Sequence, residues 1–168
     1  MLWFAPEPCL PYSPRMTLLI PLFIGFFAGL RTFTAPAVTA WAVHLGWLKI
    51  SPPMSLIGST PAVAILTVLA IGEYVFDKLP SAPNRTDPPG LIGRIVMGGV
   101  TGACVALGMN QSAIVGAILC AVAAVVGCFT GYYVRKKIGE ATGIRNLYLG
   151  LVEDLITIGG PLLILSKF

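Results

Sequence analysis

Charge is what this chain has least of. Only 11% of its 168 residues are Asp, Glu, Lys or Arg, while 56% are hydrophobic and the mean hydropathy is +0.85. Soluble domains carry about 25% charged residues, so this balance excludes an ordinary soluble fold and fits a bilayer protein. Histidine is nearly missing: His44 stands alone, which excludes His-based triads, HExxH zinc sites and multi-histidine haem ligation. No GxSxG occurs, and hydrolase readings lose their best support. Four cysteines, Cys9, Cys104, Cys120 and Cys128, lack metal-ligand spacing. Three of them lie inside apolar runs and read as small packing residues. No cofactor and no metal ion are expected.

The net charge of +4 raises nucleic-acid binding, but the basic residues sit at the ends of apolar runs. Membrane lipids are therefore the expected partner and nucleic acid is not.

Taken in order, residues 1–15 hold Pro6, Pro8, Pro11 and Pro14 and read as an irregular interfacial arm. Residues 16–168 read as a single transmembrane domain. From Met16 to Leu48 almost nothing is polar; as one helix this stretch would be roughly 50 Å long, against a hydrocarbon core of about 30 Å. Gly29, Arg31, Thr32, Thr34 and Pro36 interrupt it, so the first span is expected to be broken or re-entrant near Gly29 to Pro36. Ala35-Pro36-Ala37 also resembles a signal-peptide cleavage site; the segment is read as retained.

A second run starts with Ser59 as N-cap and Pro61 in the first turn, and ends by Pro80. Pro80, Pro83, Pro88 and Pro89 are expected to keep helix out of the linker over 80–90. A third run covers Leu91 to Leu107 and a fourth Ser112 to Val134, stopped by Arg135-Lys136-Lys137. The last, Leu147 to Leu165, contains Glu153-Asp154 and should kink at Gly159-Gly160-Pro161. The fold expected is all-α, a polytopic helix bundle of about five spans. With five crossings, Arg15, Lys78, Arg85, Arg94, Arg135, Lys136, Lys137 and Arg145 fall near one face and only Lys49 and Lys167 on the other. The positive-inside rule then puts the amino terminus in the cytoplasm and the carboxy terminus in the periplasm.

Self-comparison suggests a parallel two-helix repeat. AVTAWAVHLG from Ala37 aligns without a gap on GVTGACVALG from Gly99, and GEYVFDK from Gly72 on GYYVRKK from Gly131. Arg31, Arg94 and Glu153-Asp154 each follow a Gly-Leu pair by one to four residues, which sets them at one depth, a turn or two inside the cytoplasmic end. Glu73 and Asp77 close the second run in the same layer, and their i, i+4 spacing puts both carboxylates on one helix face.

Charges inside a membrane are costly and by default mark function. The candidate substrate- or ion-binding residues are Arg31, Glu73, Asp77, Arg85, Arg94, Glu153 and Asp154. Structural pairing alone would account at least as well for Asp77 and Lys78, which lie near enough to the interface to snorkel. The linker PNRTDPPG offers Arg85 to a phosphate, and with Arg94 could grip a lipid headgroup; a rigid turn is the plainer account. Gly116, Cys120, Ala124, Gly127 and Gly131 form a small-residue stripe that lets helix backbones approach, within one chain or between copies.

The pattern GLR near the start, GEY..DK.P..P.RT.P.GL..R in the middle and a late Glu-Asp resembles an uncharacterised bacterial integral-membrane family, a domain of unknown function. The resemblance covers about Thr17 to Leu165 and implies a bacterial inner-membrane helical protein; it implies no activity and no residue roles. The residues themselves favour a small transporter or channel-like protein with its charged site in the cytoplasmic half. A non-catalytic subunit of a larger membrane complex, or a homo-oligomer, is the alternative, and a lipid-headgroup-binding protein the third.

Overall fold

The computed structural model describes residues 14–77, 86–142 and 146–167; Arg85 and the expected arm up to residue 13 lie outside them, while Pro14 and Arg15, read as part of that arm, open the first helix. The described residues form six α-helices and no strand: α1 (Pro14–Leu30), α2 (Thr34–His44), α3 (Thr60–Phe76), α4 (Pro88–Gly108), α5 (Ala113–Thr142) and α6 (Asn146–Leu165). Three stretches, Pro88–Gly108, Ala113–Ala141 and Tyr148–Leu165, are long and apolar enough to cross a membrane, and Leu18–Leu30 and Thr60–Phe76 are apolar but shorter.

The first apolar run does break, at residues 31–33, between α1 and α2. Pro36 supplies a reason, since within a continuous helix its ring would clash with the carbonyl of Thr32; in the first turn of a new helix it is tolerated. The chain then turns back. Thr32 lies beside Gly93 of α4, whereas Leu48, just past α2, packs on Gly108 at the other end of that helix. Residues 16–48 thus make a helical hairpin.

The three-helix centre is drawn together by small residues. α1 and α5 run parallel, with Gly25 on Cys120, Gly29 on Ala124 and Cys128, and Leu30 on Gly131 in that order. α4 and α5 run antiparallel through Gly102 and Gly116. A Cβ on Gly29 would fall 2.1 Å from the Ala124 carbonyl oxygen, and one on Gly127 2.2 Å from that of Phe26; no side chain fits there. The small stripe of α5 is therefore used up within the chain.

Around this centre α6 runs against α1, from Asp154 at Arg31 to Gly160 on Phe27 and Leu165 in the core. α3 packs on α2 and on the 3-10 turn Met54–Gly58 that precedes it, burying only Val63 and Ala70. Helices α2, α4 and α6 point one way and α1, α3 and α5 the other. The bundle has a charged end, with the α1–α2 break, and a loop end, with residues 45–59. The helices of the described chain begin and end at the loop end, unlike the opposite-facing termini that five crossings require.

Three boundaries differ from expectation. Pro88 and Pro89 form the first turn of α4 behind an extended Asp87 instead of excluding helix, because the first turn needs no intrahelical N–H. Arg135-Lys136-Lys137 does not stop α5, which runs 30 residues to Thr142; Lys and Arg are good helix formers and no Gly or Pro pair intervenes. α6 passes through Gly159-Gly160-Pro161 as one helix, with Gly160 opening a seat for the Phe27 ring.

Candidate charged site at the helix break

Where α1 gives out, the backbone N–H groups of Thr32 and Phe33 precede α2 and need acceptors. The Glu73 carboxylate supplies both, at 2.8 and 2.9 Å, from the last turn of α3. A carboxylate there also faces the positive end of the α2 dipole. At the next residue of α3, the Tyr74 hydroxyl shares a 2.8 Å hydrogen bond with Thr34 Oγ1. The entry to α2 is thus fastened by α3, a helix forty residues later in sequence.

Arg31 occupies the break itself and is 1% exposed. Its Nη1 donates to Asp77 Oδ2 at 2.5 Å and its Nη2 to Asp154 Oδ1, so one guanidinium joins α1, the end of α3 and α6. The guanidinium also lies 4.9 Å from the centre of the Tyr74 ring, within cation–π range. Its Nε has no hydrogen-bond partner among the described residues. A buried guanidinium without partners would cost several kcal/mol, and the two carboxylates and the ring offset that. On α6, the Thr157 hydroxyl donates to the Asp154 carbonyl at 3.0 Å.

Arg94, 4% exposed on α4, donates to the Gly90 carbonyl at 3.1 Å and stands 4.0 Å from Glu73 Oε1. Glu153 turns the other way, toward Arg135 of α5 at 3.7 Å. Of the residues singled out from sequence, Arg31, Glu73, Asp77, Arg94 and Asp154 come together; Glu153 forms a second pair one residue away on α6. The i, i+4 spacing of Glu73 and Asp77 does aim both carboxylates at the break. Asp77 does not simply snorkel.

Sequence reasoning missed Tyr74, Thr34, Arg135 and Thr157. Tyr74 stands inside the charged GEYVFDK motif, which was signal enough; Arg135 was masked by its reading as a helix stop. Among the described residues no group of three His, Cys, Asp or Glu side chains is arranged to hold a metal ion. What the cluster can do chemically is exchange partners: one cation faces two acids from different helices, and a third acid holds main-chain amides that any anion could take.

Residues 18–166 match the family described as Domain of unknown function (DUF4126), and the chain belongs to that family. No curated protein and no solved structure matches it.

Proposed function

We propose that the protein is a small membrane transporter or channel-like protein whose solute or ion is handled at the Arg31 cluster. The observation that carries this reading is a fully buried arginine in an interrupted helical element, tied to acids on two other helices. Interrupted helices expose backbone groups for binding, and their charged neighbours mark ion and solute paths. Arg31, Arg94, Arg135, Lys136 and Lys137 all belong to the charged end, against Lys49 and Lys167 at the loop end. By the positive-inside rule the charged end faces the cytoplasm.

The test is flux in proteoliposomes under imposed proton, sodium, potassium and chloride gradients. We expect one gradient to collapse faster than in empty liposomes, and Arg31→Lys and Asp154→Asn to slow it about tenfold or more, as loss of a buried charged contact would. Flux equal to that of empty liposomes, or unchanged in both variants, overturns the reading.

A subunit or homo-oligomer role is the second reading, and the outer face of α3 favours it. Ile65, Val68, Ile71, Val75 and Phe76 are all more than half exposed there. Cysteine crosslinking between copies at Val68 supports that reading if it yields dimers in membranes.

A further inference from the structure

A groove of about 530 Å³ opens at the loop end, across the bundle from Arg31. It lies between the end of α2 and the 3-10 turn before α3. Leu48 and Ile50 give it an apolar floor, and Lys49, Ser51, Ser55, Ser59 and His44 supply its polar wall. That volume falls in the range of sites that enclose a small ligand.

Three observations define the occupant. First, the wall is cationic without an acid: Glu73, Asp77, Asp87, Glu140, Glu153 and Asp154, the described carboxylates, all belong to the charged end. Lys49 is exposed and makes no ion pair among the described residues. Second, Ser59 and one ring nitrogen of His44 are available. Ser59 caps α3 without a side-chain hydrogen bond. His44 Nδ1 lies 2.8 Å from the Gly58 carbonyl. A carbonyl only accepts, so Nδ1 carries the proton and, in the neutral ring, Nε2 presents a lone pair to a hydroxyl donor. Third, the rim is greasy: Leu45, Trp47 and Leu56 are exposed beside the groove, and Trp41 just before it. Tryptophans so placed sit at headgroup level.

We propose that this groove binds the headgroup of an anionic phospholipid, its phosphate on Lys49 and the serine hydroxyls, its glycerol hydroxyls toward His44 Nε2, and its acyl chains along the apolar rim. A freely soluble phosphate would use the same cationic wall but gain nothing from that rim. This assignment is independent of the Arg31 cluster, which lies at the opposite end and uses none of these residues.

The test is native mass spectrometry of the detergent-purified full chain titrated with phosphatidylglycerol or phosphatidylcholine. We expect preferential retention of phosphatidylglycerol, reduced about five-fold by Lys49→Glu, near the worth of one basic residue at an anionic surface. Lys167→Glu makes the same charge change at the same end, outside the groove, and should leave retention intact. Ser55→Leu fills the groove without changing charge and should also reduce it. Excess inorganic phosphate should not compete. Equal loss in both lysine variants reduces the effect to general surface charge, and no loss in Lys49→Glu or Ser55→Leu removes the site. Displacement by inorganic phosphate would assign the groove to a soluble anion; each of these outcomes overturns the proposal.

Discussion

Arg31 and Asp154 are bonded side chain to side chain although 123 residues separate them. The contact closes α6 onto the helix break, and with Asp77 on the same guanidinium it makes the break the meeting point of three helices. Arg31 thus links carboxylates from two other helices through one guanidinium.

Removing Arg31 alone takes the buried cation away from two carboxylates. We expect Arg31→Met to destabilise the protein by about 3–5 kcal/mol, the scale of a broken buried ion pair. The combination Arg31→Met, Asp77→Asn, Asp154→Asn should recover part of that loss. Thermal stability followed by size exclusion in detergent checks it; a triple variant less stable than Arg31→Met would mean the acids have other partners that matter more.

Glu73 should control the order of the α2 entry. Glu73→Ala frees the Thr32 and Phe33 amides from their acceptor, at a cost of about 1–3 kcal/mol. Hydrogen exchange in a peptide covering 27–40 is expected to speed up, while a peptide from the middle of α5 stays protected. Unchanged exchange over 27–40 would show that the bond does not hold the break.

Bulk at the α1–α5 seam should be severe. Gly127→Leu meets the Phe26 carbonyl and Gly29→Leu that of Ala124, whereas Val126 is 53% exposed. We expect a loss of about 3 kcal/mol or more in the glycine variants, beyond ordinary overpacking because backbone must move, and almost none in Val126→Leu. Equal elution profiles for all three would contradict the seam.

The hairpin of α1 and α2 makes a topological prediction. Reporters before Pro14 and after Phe168 should read from one side of the membrane, and a reporter after Lys137 from the other. If the two ends report from opposite sides, α2 does not return through the bilayer.

Much of this was legible beforehand because it rests on composition and local chemistry. The helical runs, the break near Arg31, the stripe from Gly116 to Gly131 and the layer of Arg31, Glu73, Asp77, Arg94 and Asp154 all leave residues at readable spacings, although the same spacing put Glu153 in that layer and it pairs with Arg135 instead. The reversal after the break did not. The stretch from Met16 to Leu48 is apolar on both sides of Arg31, and the carboxylate that stabilises the turn, Glu73, is about forty residues away. Nor could the sequence rank Arg31 above Arg94, since which arginine receives two acids is decided by how α3 and α6 approach α1. The α5 boundary failed for a different reason: a basic triplet marks where a membrane ends, not where a helix does.

The pairing of Arg31 also imposes a timetable on biosynthesis. The chain emerges amino end first, so α1 arrives with its arginine before Asp77 exists and long before Asp154 does. Until α6 leaves the ribosome the guanidinium has only one of its two carboxylate partners. The nascent hairpin must then be sheltered by water, by lipid headgroups or by the insertion machinery. A chain ending at Gly150 is accordingly expected to insert its first five helices yet be cleared by proteases faster than the full-length protein, with Asp154→Asn in the complete chain shortening its half-life in the same direction.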